Sequence, residues 1–491
     1  MSSRKSLFLA CWIVGGLISI LALVAAAQPA TPVAAPVAAG PALTPTQRQQ
    51  LDKIFTDPIF QKATVSVQVK RVRDGALLFE HEPDTFCIPA STNKLITGAA
   101  AYAILGTNYH FKTRLLADRR PTAQGVIQGN LYVVGGGDPD LTTEQVWKMV
   151  RALWLSGVRQ VTGDLVGDDS FHDEERYYPE WGPKSFQAYR APLGALSVNY
   201  NTIEFWVRPG PTEGAPAFVS LNPHPAGLTI QGAINTVAGR GNKTVMTMTD
   251  NAVQISGQLG IEAHPDPTYQ AVRDPLTFAL GTIREMMKTQ GITIAGQSRP
   301  GNAPKGAVLI HEHESAELPI IIRRLYRFSN NFTAEQIART IGAVTSGQPG
   351  SRENGAAAVT NWLRQENLYR EGEVIFDGSG LSKDNRQSAA SMVAVLEWMG
   401  RNPRAFPEYL DAQPIGGVDG TLRRRFKKSS LYGRVRAKTG FVNGAVTLAG
   451  YCYDARGEIY AFASLVNDFQ TVTGVRGPQQ LTERLLEILM Q

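Results

Sequence analysis

Apolar and polar residues alternate along 64–72 and again along 76–80, after a turn at Asp74-Gly75. That is the pattern of a β-hairpin. Alternation returns near the C-terminus, over 434–439, 446–453 and 459–466, with Gly- or Asp-containing turns between. Helical spacing lies between these ends. Pro89-Ala90 leads into Ser91-Thr92-Asn93-Lys94-Leu95-Ile96-Thr97-Gly98 and three alanines, a helix whose first turn holds Ser91. Another begins near Ser315 and carries Leu318, Ile321, Ile322 and Leu325. It breaks at Ser329-Asn330-Asn331, and a further helix runs from Thr333 to about Val344. Residues 388–399 read as an amphipathic helix and 481–490 as a closing helix. Strands and helices from both ends suit one α/β (α+β) domain, a helix cluster on an antiparallel sheet.

From about 111 to 309 the pattern changes to short strand-like pieces, such as 129–134 and 202–207, between Gly- and Pro-rich turns. One long helix is expected at 275–290. This is an inserted, mainly β region. The expected division is a catalytic unit of 45–112 and 308–491, an insert of 113–198 and 263–307, and a second β-rich insert nested at 199–262. A chain of 491 residues exceeds one compact core and supports two or three domains.

The N-terminus is a targeting segment. Arg4 and Lys5 precede an uncharged apolar run over 7–27 that ends in Ala25-Ala26-Ala27, small residues of the kind a signal peptidase needs. The run also has the length of a membrane span. It serves either as a cleaved signal peptide (1–27) or as an anchor, and both export the rest. Residues 28–44 are Ala/Pro-rich and read as a tether.

Hydrophobic residues make up 43% and charged residues 19%, a globular balance. The net charge of +6 is dispersed, with no basic block of the kind that binds nucleic acid. Beyond Cys11 only Cys87 and Cys452 remain, either one bridge or two buried thiols. His311 and His313 share a strand face without a third ligand at metal spacing, so no metal site is expected.

Three short motifs stand in order: Ser91-Thr92-Asn93-Lys94, Ser329-Asn330-Asn331 and Lys438-Thr439-Gly440. They fit the S-x-x-K, S-x-N and K-T-G set of serine β-lactamases and penicillin-binding proteins. A serine hydroxyl needs a base to become a nucleophile. Residues three apart share a helix face, so Lys94 can reach Ser91. The unpaired N–H groups of the helix start can hold an oxyanion. Ser329 and Asn331, two apart in a non-helical break, can point into one cleft, Ser329 to relay a proton and Asn331 to hold a substrate backbone. Lys438 and Thr439 suit a terminal carboxylate, and Gly440 leaves the strand open to close approach. A cation at Lys438 would lower the pKa of Lys94. Alone, each motif also reads as an ordinary cap, turn or surface lysine. Their order and contexts together point to an acyl-transfer site.

The sequence resembles the D-alanyl-D-alanine carboxypeptidase/endopeptidase family of low-molecular-mass penicillin-binding proteins, class C (peptidase family S13). The resemblance rests on Pro89-Ala90-Ser91-Thr92-Asn93-Lys94, Gly137-Asp138-Pro139-Asp140-Leu141, Asp377-Gly378-Ser379-Gly380-Leu381-Ser382 with Asn385, Gly417-Val418-Asp419-Gly420-Thr421-Leu422 and Ala437-Lys438-Thr439-Gly440. It spans about 45–491, and the long stretch between Ser91 and Ser329 agrees with the family's large inserts. The middle motif is S-N-N where S-D-N is common.

The resemblance implies that Ser91 attacks a D-alanyl carbonyl with Lys94 as base. Ser329 passes the proton to the leaving amine. Backbone N–H groups of Ser91 and Phe441 form the oxyanion hole, and Lys438 and Thr439 hold the chain-end carboxylate. It implies no cofactor, peptidoglycan peptides ending in D-alanine as substrates, β-lactams as inhibitors, and a periplasmic or cell-envelope location. Asp168, in Gly167-Asp168-Asp169-Ser170-Phe171, resembles an inserted-domain acid that grips the amine of a diaminopimelate side chain; a solvated turn aspartate explains it equally. A β-lactamase or esterase would share Ser91 and Lys94 with a shorter insert. An inactive wall-binding or β-lactam-sensing module would be free to lose Lys94, Ser329 or Lys438.

Overall fold

Both ends of the chain meet in one antiparallel sheet. In the computed structural model, which describes residues 43–491 except 59–61, 226, 250–251, 265–266 and 470–475, its strand order is Val435–Val442, Ala445–Tyr453, Ile459–Asn467, Thr64–Arg71 and Leu77–His81. The apolar run at 7–27, Cys11 and the tether up to 42 lie outside the described residues. Among the described residues no helix is long and apolar enough to cross a membrane.

Strand alternation gives this sheet two apolar faces. Val446, Leu448, Cys452, Phe462 and Val466 face the helices Pro45–Phe55 and Arg476–Leu489, which bury Leu51, Ile54, Leu485 and Leu486. Ala449, Tyr451, Ala461 and Ala463 face the larger helix cluster. That cluster comprises Asn93–Ile104, Leu318–Phe328, Asn331–Ser346, Arg352–Gln365 and Ala389–Gly400. Its core includes Leu95, Ile96, Ile321, Ile322, Leu325 and Ile337, all at most 1% exposed. Each such side chain contributes about 1.5–3 kcal/mol by leaving water. The expected α/β domain is present, built in three layers. Cys87 and Cys452 are free, buried thiols, the second of the two alternatives.

The region between is less purely β than expected. Its principal sheet is mixed, ordered Ser298–Pro300, Leu165–Asp168, Leu131–Val134, Lys112–Ala117 and Val308–Glu314. Two helices pack against it, the expected Pro275–Thr289 and an unexpected Thr143–Leu155. Val146, Met149, Val150 and Leu153 in the latter are buried at i, i+3, i+4 and i+7. Strand Val308–Glu314 belongs to this sheet, so the chain returns to the first unit only after it. The stretch from Thr202 to Gly260 is all strand in its regular elements among the described residues, in two further sheets.

Two of the ion pairs on the helix Leu318–Phe328 tie it to signature stretches. Arg324 pairs with Asp140 of the Gly137–Leu141 stretch, and Arg327 with Asp419 of the 417–422 stretch. Both stretches therefore fix the helix that delivers Ser329.

Candidate active site

The three motifs converge on one cleft of about 790 Å³, lined by Ser91, Ser329, Asn331 and Phe441 among others. Ser91 lies in a 3₁₀ turn, Ala90–Thr92, that runs into the helix Asn93–Ile104. The turn is held from three sides. Thr92 and Thr447 both donate to the Pro89 carbonyl, at 2.6 and 2.8 Å. Asn93 Nδ2 donates to the Asp377 carbonyl at 2.7 Å. Ala90 has φ 48°, a left-handed conformation that costs energy and is found where surrounding structure enforces it.

Lys94 is 0% exposed. Its Nζ donates to Ser91 Oγ at 2.9 Å, Asn331 Oδ1 at 2.7 Å and the Ser379 carbonyl at 2.6 Å. Burial disfavours the ammonium and pushes the pKa down to about 7, against the opposing pull of Asp377 and Glu335. Burial, rather than the expected second cation, is thus the leading cause. The repulsion between the lysines registers on Lys438, held well below the usual lysine range by burial first and Lys94 second. A lysine poised near neutral pH is suited to take a serine proton.

The break between the two helices is tighter than expected. Ser329 caps the first helix at φ 55°, Asn330 caps the second and accepts from Thr333 N, and Asn331 is already helical. Asn331 bridges the cleft by donating to the Tyr189 carbonyl at 2.9 Å while accepting from Lys94. Lys438 is buried beneath the cleft and donates to Ser329 Oγ at 2.8 Å and to the Thr439 carbonyl at 2.6 Å. Thr439 points away from Lys438, its hydroxyl on Thr421 Oγ1 at 2.9 Å. Gly440 touches the nucleophile turn. A Cβ there would stand 2.9 Å from Pro89 O and 3.0 Å from Ser91 N. Phe441, 58% exposed, is on the cleft wall.

Asp168 is not brought to this cleft. It ends the strand Leu165–Asp168, and its carboxylate accepts from Ser170 N and Oγ at 3.0 and 2.6 Å and from Ala303 N at 2.7 Å. Those bonds occupy both oxygens in loop-closing work, and it is absent from the residues lining the cleft. It is not a solvated turn aspartate, being 5% exposed.

Other residues complete the site. Glu335, buried on the helix Asn331–Ser346, accepts from Gly378 N at 3.1 Å and Ser379 N at 2.7 Å. Burial and the neighbouring Asp377 raise its pKa, while those bonds oppose the rise. Asp377 accepts from Gly380 N, Ser382 N, Asn385 Nδ2 and Trp181 Nε1 at 2.6–3.1 Å. These bonds set the loop whose Ser379 carbonyl meets Lys94. The 377–382 signature was visible in the sequence, but this role was not. Trp181, Tyr189 and Arg190, also in the cleft lining, left no local sign.

The family model for the D-Ala-D-Ala carboxypeptidase 3 (S13) family matches residues 47–486. A D-alanyl-D-alanine carboxypeptidase of Actinomadura sp. is 33% identical over 452 residues, covering 88% of this chain and 82% of the relative. The crystal structure of penicillin binding protein 4 (dacB) from Haemophilus influenzae superposes with a TM-score of 0.75 at 25% identity, covering 89% of this chain and 99% of that one. The same protein complexed with a β-lactam superposes with a TM-score of 0.70. Family match and site geometry agree: the chain belongs to the D-Ala-D-Ala carboxypeptidase 3 (S13) family of serine hydrolases.

Proposed function

We propose that this enzyme hydrolyses D-alanyl bonds in peptidoglycan peptides through an acyl-enzyme on Ser91. The observation that carries the mechanism is the 2.9 Å contact between Lys94 Nζ and Ser91 Oγ, made by a lysine whose pKa is pushed down to about 7. Neutral Lys94 takes the hydroxyl proton as Ser91 attacks the carbonyl carbon. The N–H groups of Ser91 and Phe441 receive the oxyanion, a role supported by the approach of Gly440 to Ser91 N. Collapse of the tetrahedral species expels the downstream amine. Its proton comes from Ser329, which relays to the amine the proton that Lys94 took from Ser91 and so leaves Lys94 neutral for the next half-reaction, while Lys438 holds the Ser329 hydroxyl in place across their 2.8 Å bond. Asn331 holds the acyl-side backbone. Thr439 binds the chain-end carboxylate directly, and Lys438 supports it from below. Water then releases the acyl group by the same base.

A β-lactam presents a strained amide beside a carboxylate, and acylation of Ser91 by one would block the enzyme. The β-lactam complex of the structural neighbour supports that reading. Peptides with a free D-Ala-D-Ala end would give carboxypeptidase turnover, and cross-linked peptides endopeptidase turnover. The 7–27 run would export the chain to the cell envelope, by cleavage or as an anchor. The catalytic unit would comprise 45–112 and the chain that follows the insert.

The test is D-alanine release from a diacyl-lysyl-D-alanyl-D-alanine peptide. Stoichiometric, Ser91-dependent release is expected. No release by folded protein from this peptide or from cross-linked muropeptides would overturn the proposal.

A further inference from the structure

A second cavity, of about 310 Å³, shares Arg190 with the catalytic cleft. Its wall carries four cations, Arg176, Lys184, Arg190 and Arg273, around the rings of Tyr177 and Phe186, and no Asp or Glu. Like charges gathered in a concave, partly apolar wall focus a positive potential.

Only part of that charge is already engaged. Arg176 pairs with the buried Asp169 and donates to the Leu193 carbonyl at 3.3 Å. Arg273 lies over the Phe186 ring, 5.7 Å from its centroid. Arg190 donates one N–H to the Pro183 carbonyl at 3.3 Å, while its Nε is buried with no hydrogen-bond partner. A buried, unsatisfied donor is costly unless an acceptor arrives. Lys184 is exposed and forms no ion pair among the described residues. Tyr177 donates to the carbonyls of Gly182 and Pro183 at 3.0 and 3.1 Å, which ties the segment before Lys184 to the cavity wall. A planar, forked guanidinium beside an ammonium matches a carboxylate in shape and charge.

We propose that this cavity is a subsite for a free carboxylate that the substrate carries upstream of the cleaved bond, with Lys184 and Arg190 as its specificity-determining residues. The inference rests on the proposed function above and adds a substrate class to it: peptides with an acid, rather than an amide, on the acyl side. The shared Arg190 makes the ligand an extension of the peptide in the cleft. The downstream carboxylate is assigned to Thr439, which leaves the upstream one for this cavity.

The experiment uses the full chain and two peptides ending in D-Ala-D-Ala that differ in one group. One has an upstream γ-linked glutamyl residue with its α-carboxylate free, and the other has the carboxamide. The wild-type enzyme should favour the acid by about tenfold in kcat/KM, the scale of one charge-assisted contact. Lys184→Glu should abolish or invert that ratio, Arg190→Gln should bring it towards one, and Lys305→Glu, outside the cavity, should keep it. Benzylpenicillin adducts measured on each variant report whether the nucleophile is intact. No preference in the wild type, or a preference that survives Lys184→Glu, overturns the subsite while leaving the peptidase reading in place. Failure to cleave either peptide, with no penicillin adduct, overturns the peptidase reading and the subsite with it.

Discussion

Lys438 donates to Ser329 Oγ at 2.8 Å, just as Lys94 donates to Ser91 Oγ at 2.9 Å. The site therefore holds two buried amines, each on its own serine hydroxyl. Burial opposes both ammonium forms, and the charge of Lys94 opposes that of Lys438 further, so deprotonation is built into the geometry.

The pH dependence follows. The base form of Lys94 appears as pH rises through about 7, so kcat/KM should climb with pH across that region. Stability carries the same sign. The folded pKa of about 7 lies below the ordinary lysine value of 10.5, so between them the unfolded chain binds more protons. Unfolding free energy should rise with pH across that window. Lys94→Met should flatten this slope in urea titrations taken at several pH values.

Asp377→Ala should damage both fold and rate. It strips acceptors from Gly380 N, Ser382 N, Asn385 and Trp181 in a buried loop. A loss of about 3 kcal/mol or more is expected from urea unfolding. β-Lactam acylation should slow as well, because the Ser379 carbonyl leaves Lys94.

Gly440→Ala should slow acylation by about 10²-fold, the scale of a small misplacement of reacting groups. The new Cβ would stand 2.0 Å from Thr447 Oγ1, itself bonded to Pro89 O, and 3.0 Å from Ser91 N. Stopped-flow acylation with a chromogenic cephalosporin reads this directly.

Asp168→Ala should separate stability from catalysis. It should cost about 1–3 kcal/mol through the unmet Ser170 and Ala303 donors, while the acylation rate stays within about twofold.

Contacts three residues apart on one helix were legible from sequence, which is why Ser91 and Lys94 could be paired. The helix break at Ser329 was legible too, because cap-forming residues interrupt an apolar period. The meeting of Asn331 with Lys94 is tertiary, between residues 237 positions apart, and was not expected from the sequence, where the motif pattern only brought both residues to one cleft. The Ser379 carbonyl was out of reach, since a backbone acceptor has no side-chain signature and its aim depends on Gly380 at φ 75°. The helix Thr143–Leu155 was missed although its apolar spacing was present, masked by the Gly-rich strands around it.

The most direct test of the account is intact-protein mass after incubation with benzylpenicillin, for the wild type beside Ser91→Ala. The account predicts one drug-sized gain on the wild type and none on the variant. An adduct on Ser91→Ala, or none on folded wild type that also leaves the drug unhydrolysed, would contradict it.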